Sequence, residues 1–255
     1  MKIVVLMKQV PDTWGDRKLD LSTGWVDRNS SDPVIDEINE RALEAALTAA
    51  EDNKGSEVVV VTMAPGDVSE SLKKALAMGC DAAIHICDDA LAGADSGKTA
   101  AVLAAVIRAQ EADLVVAGNE STDGRGGVVP AMIAEHLGLP HLGMLGSIEV
   151  DGSRVNGVRR IDGGSQKVHA DLPAIISVNE GNPDARFPSF KGIMGAKKKP
   201  VTVLTLADID ATIPAGTSTV TSTAVRPARA AGTVVTDDGS AADQLVDFLA
   251  SNRLI

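Results

Sequence analysis

The chain has 255 residues, of which 44% are hydrophobic and 23% are charged, and its formal net charge at pH 7 is −11. This composition is typical of a globular protein, and the length suits one large domain or two small ones. The excess of acidic residues argues against general binding to nucleic acid or to anionic lipid, because both require a surplus of positive surface.

The start of the chain and its cysteines indicate a cytoplasmic protein that is not inserted in a membrane. The apolar stretch in MKIVVLMKQV is too short for a secretory signal and runs directly into a predicted core strand. Cys80 and Cys87 are too few for a disulfide framework and lack metal-binding spacing, so we expect both in the core. The histidines are scattered and give no support to a hydrolase triad.

The first half of the chain alternates short aliphatic runs with amphipathic segments. We predict strands over 3–7, 57–63, 82–87 and 113–118, and helices that begin near Pro33, Val68 and Lys98. Strands without polar alternation are buried on both faces, so the pattern predicts an α/β fold with a parallel, Rossmann-like sheet flanked by helices. Asp32 is predicted to cap a helix whose first residue is Pro33, and Asp67 with Glu70 is predicted to form a capping box.

After Pro140 the pattern changes to short strands separated by Asp-Gly turns, which predicts an antiparallel extension of the sheet. The aliphatic run 173–178 is predicted to return to the main sheet. The run 201–209 is predicted as one more extended segment.

The last part of the chain, from about Ala211, is rich in Thr, Ser, Ala and Pro and offers no face that could be buried. Its end carries an apolar tip formed by Leu245, Val246, Phe248 and Leu249. We therefore predict an α/β domain over 1–200 and an extended C-terminal arm over 201–255 that lies on a partner, with a flexible tail as the alternative.

A glycine-rich loop lies within 115–130, between a predicted strand and a predicted helix. Ligands of α/β sheets gather at the carboxyl ends of strands, and free N–H groups at a helix start attract phosphate. Gly124, Gly126 and Gly127 would let the backbone approach an anion closely. The residues alone leave two interpretations open: a nucleotide or phosphate site, and a turn that needs glycine only for its dihedral angles.

A second glycine-rich stretch, 93–99, resembles the phosphate loop GxxxxGK[ST] but has three residues between its glycines instead of four. The shorter loop would displace the amides that hold the phosphate. We therefore do not expect a nucleoside triphosphate loop here, and we predict that Ser96 caps a helix.

The segment 182–200 combines apolar side chains with a positive cluster on an otherwise acidic chain, which is typical of a docking site. Its prolines and glycines predict neither a regular helix nor a strand. The alternative is a buried loop whose lysines form a solvated end. The predicted docking residues are Phe187, Phe190, Ile193, Met194, Lys197, Lys198 and Lys199.

A set of motifs spans nearly the whole chain: MKQVPDT (7–13), ALAMGCD (75–81), GNESTDG (118–124), the stretch 157–176, and FKGIMGAKKK (190–199). Together, and in the same order, they resemble the β subunit of an electron-transfer flavoprotein. The stretch 157–176 is the most specific of them because it closely follows the signature pattern of the family, with Ser177 a mild exception at its edge.

The resemblance implies a Rossmann-like fold of the adenine-nucleotide α-hydrolase type and an electron carrier without bond-making catalysis of its own. In that family an α subunit completes the heterodimer and holds most of the FAD site, while many β subunits bind AMP in a structural role. The implied partners are flavoprotein dehydrogenases, such as the acyl-CoA dehydrogenases of fatty acid oxidation, and a membrane quinone reductase, the electron-transfer flavoprotein quinone oxidoreductase. Carried over by position, the AMP contacts are Leu6, Asp32, Pro33, Val34, Ile35, Met63, Gly118, Asn119, Glu120, Ser121, Thr122, Asp123, Gly124, Arg125, Gly126, Gly127, Val128 and Val129.

Three positions depart from the pattern of the family. Asp32 stands where asparagine is frequent, and its charge would repel a nearby phosphate. Arg160 stands where many members have a glutamate that is thought to contact the flavin domain of the α subunit, so the reversed charge would break that pairing unless α has changed too. The resemblance makes 182–200 the recognition loop and Phe190 its anchor, where other members carry leucine, so the identity of the partner does not simply transfer.

Two alternatives remain open from the sequence. One is an electron-bifurcating type in which a second FAD replaces AMP in this subunit. The other is a free-standing adenine-nucleotide-binding protein of the stress-response type, against which the long arm and the imperfect phosphate loop both argue.

Overall fold

The aliphatic runs of the first half of the chain form a parallel sheet, as the sequence predicts. The computed structural model describes residues 1–229 and 231–255, and within them nine strands join in one sheet while two short strands pair separately. The strands are β1 (Lys2–Leu6), β2 (Gln9–Pro11), β3 (Pro33–Ile35), β4 (Glu57–Met63), β5 (Ala82–Ile86), β6 (Leu114–Gly118), β7 (His141–Asp151), β8 (Arg154–Ile161), β9 (Gly164–Asp171), β10 (Ala174–Val178) and β11 (Val201–Leu204).

The order of the large sheet is β11-β5-β4-β1-β6-β10-β7-β8-β9. Neighbours from β11 to β7 run parallel, whereas β7, β8 and β9 form the predicted antiparallel extension. Both Asp-Gly corners close hairpins, with Gly152 at φ 58° and Gly163 at φ 80°, a conformation that glycine adopts without strain. The predicted fold class and the predicted return of 173–178 to the main sheet are confirmed.

Within the described residues, four helices cover the two faces of the sheet: α1 (Glu37–Asp52), α2 (Ser69–Met78), α3 (Ser96–Gln110) and α4 (Val129–Leu137). Side chains of β1 alternate between the faces, since Ile3 packs in a cluster with α1 and α2, and Val4 packs in a cluster with α3 and α4. Cys80 belongs to the first cluster, as predicted, but Cys87 is only partly buried. Two more helices follow along the chain, α5 (Phe190–Ala196) and α6 (Ala241–Ser251).

The predicted start of the first helix is wrong. Pro33 lies in β3, which pairs antiparallel with β2 through Val10 and Val34, so this segment is extended. Helix α1 begins four residues later, at Glu37, and the carboxylate of Asp36 caps it by accepting a hydrogen bond from the Ile38 N–H at 3.1 Å. Pairing with a strand that is distant in sequence has outweighed the local capping signal.

The starts of the next two helices also differ from the prediction. Asp67 accepts a hydrogen bond from the Ser69 N–H at 2.8 Å, but the residue at the N-cap position of α2 is Val68, so the predicted capping box does not form. Ser96 is the first residue of α3, and Asp95 is its cap, with Oδ1 accepting from the Lys98 N–H at 2.8 Å. Both errors displace a helix start by only one or two residues.

The described residues divide into two compact units, Met1–Thr221 and Ser222–Ile255. Strand β11 is an edge strand of the large sheet, so the boundary predicted after residue 200 falls inside the first unit. In the second unit the apolar tip forms helix α6, and its Leu245, Val246 and Phe248 are exposed. Among the described helices, none combines the length and the apolar character needed to cross a membrane.

Candidate functional site

A cavity of about 1260 Å³ opens at the carboxyl ends of the central strands, and it is lined by Leu6, Met63, Ile86 and Gly118 at the ends of β1, β4, β5 and β6. From β1 the chain builds β4 and β5 on one side and then returns to form β6 on the other side. The connections therefore diverge between β1 and β6. Ligands of open α/β sheets bind at such a switch point.

The structure brings one part of the predicted nucleotide contacts together around this cavity and leaves the other part outside its lining. The predicted residues that line it are Leu6, Met63, Gly118, Asn119, Glu120, Ser121, Gly124, Gly126, Gly127 and Val129. The predicted residues that do not line it are Asp32, Pro33, Val34, Ile35, Thr122, Asp123, Arg125 and Val128. Among the predicted residues that line the cavity, Leu6, Met63 and Gly118 come from the ends of three separate strands, and the others come from the glycine-rich loop.

Each glycine of the loop has a different structural role. A Cβ on Gly118 would lie 2.4 Å from Asn39 Nδ2, so glycine is needed for α1 to approach β6. Gly127 has φ 64°, which favours glycine. A Cβ on Gly126 would lie 3.8 Å from its nearest neighbour, Ser96 Oγ. A larger side chain at this position would therefore extend into the cavity, which Gly126 lines.

Helix α4 begins at the wall of the cavity without a side-chain cap. Its N-cap residue is Val128, whose side chain cannot accept a hydrogen bond from the free N–H groups of the first turn, and Gly127, Val129 and Pro130 line the cavity beside it. Uncapped N–H groups together with the positive end of the helix dipole favour a negatively charged ligand group.

Asp36 attaches the loop to α1. This carboxylate is completely buried, and its Oδ2 accepts hydrogen bonds from both the N–H and the hydroxyl of Thr122, each at 2.6 Å. Its Oδ1 caps α1 at the same time. Thr122 therefore serves to fix the loop and does not face the cavity. The sequence does not point to Asp36, because the Asp32-Pro33 pair predicts the cap four residues earlier.

Asp123 lies within the loop with its side chain buried, and it holds two cations near the cavity. Its Oδ1 accepts a hydrogen bond from Lys8 Nζ at 2.8 Å, and Arg28 Nη2 lies 3.6 Å from Oδ2. Burial acts to raise the pKa of Asp123, but the charge and hydrogen bond of Lys8 outweigh it, so the pKa is lowered and the residue is an anion. Lys8 and Arg28 both line the cavity, although neither is among the residues predicted from the sequence.

Asn119 lines the cavity and carries a buried side-chain oxygen, Oδ1, that has no hydrogen-bond partner among the described residues. The residue as a whole is 7% exposed. A buried polar atom without a partner is costly, so such an atom at a cavity wall suits a donor supplied by a ligand.

The opposite wall of the cavity comes from segments that are distant in sequence. Trp25 lies against Gly93, where a Cβ would come within 2.3 Å of the indole ring, and both residues line the cavity. Asp88 and Asp95 line the same side. The stretch 93–99 does not form a phosphate loop, since it turns directly into α3, but its residues contribute to this acidic wall.

The predicted docking segment contains the short helix α5, contrary to the expectation that its prolines and glycines prevent one. Ser189 caps it by accepting a hydrogen bond from the Gly192 N–H at 3.0 Å. A Cβ on Gly192 would lie 2.2 Å from the carbonyl oxygen of Ala77, so the glycine permits close packing on α2 and does not break the helix.

The docking segment presents its apolar side chains to solvent. Phe187 is 95% exposed and Phe190 is 82% exposed, and Ile193 and Met194 are also exposed. The alternative of a buried loop is therefore wrong for these residues. Aromatic rings that remain in water cost free energy unless a partner covers them.

Two cations attach this docking segment to the body of the protein. Arg186 forms ion pairs with Glu44 and Glu51 of α1, including Nη2 to Glu44 Oε1 at 2.9 Å. Lys199 Nζ donates to the carbonyl oxygens of Leu76 and Cys80, at 2.9 and 2.7 Å, near the end of α2. Lys199 is thus bound to the protein itself, whereas Lys197 and Lys198 are exposed.

Arg160 lies apart from both regions, on β8 of the antiparallel extension. It pairs with Ser165 of β9 and is exposed. Its charge is therefore available to a partner molecule.

The chain is similar to known proteins over its whole length. Residues 23–209 match the family model described as electron transfer flavoprotein domain. The chain is 49% identical to the "Electron transfer flavoprotein subunit beta" of Mycobacterium leprae and 48% identical to that of Mycobacterium tuberculosis, with 99% of each chain covered in both cases. It is also 36% identical, over 82% of this chain and 80% of the relative, to the "Caffeyl-CoA reductase-Etf complex subunit CarD" of Acetobacterium woodii.

Proposed function

The chain belongs to the electron transfer flavoprotein family as a β subunit, and from this premise we propose that it binds AMP structurally and docks electron donors. Its partner in this proposal is an α subunit that holds most of the FAD, and the heterodimer works in the cytoplasm. The complex receives electrons from flavoprotein dehydrogenases, such as acyl-CoA dehydrogenases, and passes them to an electron-transfer flavoprotein quinone oxidoreductase at the membrane. This chain itself performs no bond-making catalysis.

The cavity between β1 and β6 is the observation that carries the nucleotide proposal. We place the phosphate at the uncapped start of α4, within reach of the glycine amides and near the cations of Lys8 and Arg28. The acidic side of Asp88 and Asp95 would repel phosphate, but Asp88 can accept hydrogen bonds from ribose hydroxyls or from an adenine amino group. The unpaired oxygen of Asn119 adds one more acceptor for such donors.

The alternative proposal is that a second FAD binds in place of AMP. The cavity is large enough for this alternative to be considered. A volume of about 1260 Å³ lies above the range of roughly 300–1,000 Å³ that is usual for small-molecule sites. A mononucleotide would leave part of this space to water. Identification of the released nucleotide decides between the two.

The docking proposal is supported by the exposed aromatic side chains on a segment that is firmly attached to α1 and α2. We assign the anchor to Phe190 and supporting contacts to Phe187, Ile193 and Met194, with Lys197 and Lys198 opposite acidic groups of the partner. Lys199 is left out of this surface because it already binds carbonyl oxygens of its own chain.

The partner α subunit is proposed to meet both Arg160 and the C-terminal arm. An exposed cation on β8 requires an acidic residue on the α subunit at that contact. The exposed apolar residues of α6 are the kind of surface that a partner subunit covers.

The test is co-expression with the α subunit, followed by mass spectrometry of the nucleotides released from the purified complex. We expect one FAD and one AMP per heterodimer, and Gly126→Val should remove the AMP because its side chain would enter the cavity without a clash in the protein itself. Gly164→Val is the matched control, since a Cβ there meets no atom within 4 Å and the residue lies on β9 outside the cavity lining.

Full AMP occupancy in Gly126→Val would contradict the proposed site. If the complex released two FAD and no AMP per heterodimer, the proposal of AMP binding would be replaced by that of a second FAD.

A further inference from the structure

The root of the C-terminal arm, residues 213–218, closes one side of the cavity. Ile213 packs against the core cluster of α3 and α4, and Thr217 and Ser218 line the cavity on the side of Trp25. All of these residues belong to the first compact unit. The nucleotide site described above therefore has a wall that is built from the beginning of the arm.

A single carboxylate fixes this wall. Asp95 Oδ2 accepts hydrogen bonds from the N–H groups of Thr217 and Ser218, at 2.6 and 2.9 Å, and from the Thr217 hydroxyl at 3.3 Å. Its other oxygen caps α3 through the Lys98 N–H. The backbone N–H groups of Lys98, Ser218 and Thr217 lower the pKa of Asp95 to about 2, so the carboxylate stays ionised at neutral pH.

Burial contributes little to the attachment. Thr217 and Ser218 are exposed, as are the residues from 214 to 221, and Ile213 is only partly buried. Gly216 passes close to the carboxylate, because a Cβ there would lie 3.5 Å from Asp95 Oδ2. The hydrogen bonds to Asp95 are consequently the main interaction that holds this segment over the cavity.

We propose that Asp95 is a positioning residue for nucleotide retention: it holds residues 216–218 as a removable wall of the cavity, and nucleotide leaves when this wall opens. The inference rests on the proposed nucleotide site. Because thermodynamic coupling between two sites is reciprocal, a bound nucleotide also stabilises the seated arm root, and an α subunit that fixes the arm slows nucleotide release.

Asp95→Ser separates the two roles of this residue. Serine is as good an N-cap as aspartate, so the start of α3 is kept, but it lacks the second oxygen that binds the arm root. The double variant Thr217→Pro with Ser218→Pro removes the two N–H donors and leaves Asp95 intact. Asp67→Ser is the control, because that exposed carboxylate accepts from Ser69 at the start of α2 and lies outside the cavity lining.

The measurement is the release of radiolabelled AMP from the purified heterodimer during a chase with unlabelled AMP, with hydrogen exchange of 213–221 as a second readout. We expect release at least about tenfold faster in Asp95→Ser and in the double proline variant, as the loss of hydrogen bonds to a charged acceptor predicts. The Asp67→Ser control should release AMP at the wild-type rate, and thermal stability should be nearly unchanged in all variants.

The two ways in which this experiment can fail are distinguishable. A wild-type heterodimer that cannot retain AMP overturns the AMP site and this inference with it. Retention by wild type together with unchanged release rates in both arm-root variants overturns the inference alone.

Discussion

Removing the buried carboxylate of Asp36 should destabilise the protein and loosen the glycine-rich loop in one step. In Asp36→Ala, α1 loses its cap, at a cost of about 1 kcal/mol. The two donors of Thr122 lose a charged acceptor at 2.6 Å, at a cost of about 1.5 kcal/mol each. The combined loss of about 4 kcal/mol is a large part of the 5–15 kcal/mol that is typical of whole domains.

The assay is urea unfolding of the purified chain, followed by circular dichroism, together with AMP retention in the heterodimer. Asp36→Asn should lie between wild type and Asp36→Ala, because an amide keeps the cap oxygen but turns a donor toward Thr122. Asp32→Ala is the decisive control: Asp32 is exposed, and the substitution keeps its backbone carbonyl, which accepts a hydrogen bond from the Asp12 N–H. We expect that change to stay within about 0.5 kcal/mol of wild type.

A larger loss of stability in Asp32→Ala than in Asp36→Ala would refute this reasoning. It would mean that the helix is capped where the sequence pattern suggests, and that the loop is not attached through Asp36.

The docking segment and the core give three more predictions. Phe190→Ala should leave the unfolding midpoint unchanged, because the ring is 82% exposed. The same substitution should slow reduction of the complex by a donor dehydrogenase in stopped-flow measurements. An unchanged rate of reduction would contradict the assignment of Phe190 to the docking surface. Arg186→Met should cost about 1–2 kcal/mol at pH 7, since the ion pair is only partly screened. Burial acts to raise the pKa of Glu44, but hydrogen bonds from Arg186 lower it below its ordinary value of 4.5. The stabilisation by this ion pair is therefore present above pH 4.5 and is lost as the pH falls through the lowered pKa. The stabilities of Arg186→Met and wild type should converge in acid, and a difference that stays constant with pH would contradict the pairing. Burial raises the pKa of the Cys80 thiol to about 12, so iodoacetamide at pH 8 should label the partly exposed Cys87 and spare Cys80, as peptide mass spectrometry would test.

The docking segment illustrates how local patterns can mislead. Pro183, Pro188 and the glycines of 182–200 predict an irregular segment, and yet α5 forms because Ser189 caps it and Gly192 allows it to pack on α2. Its composition did predict that the segment is exposed and apolar. The sequence pattern thus identified the surface but not its backbone conformation.

The sequence by itself determined the parallel sheet, its antiparallel extension, both Asp-Gly corners and the loop at the end of β6. These features depend on the periodicity of buried residues and on turn residues that act locally, and the family motifs added the identity of the chain. Only the tertiary structure decided which side chains surround the cavity. Lys8 meets Asp123 across 115 positions of the chain, and Asp95 meets Thr217 across 122. Contacts of this kind leave no local signal, because they arise only when the fold brings together segments that are far apart in sequence.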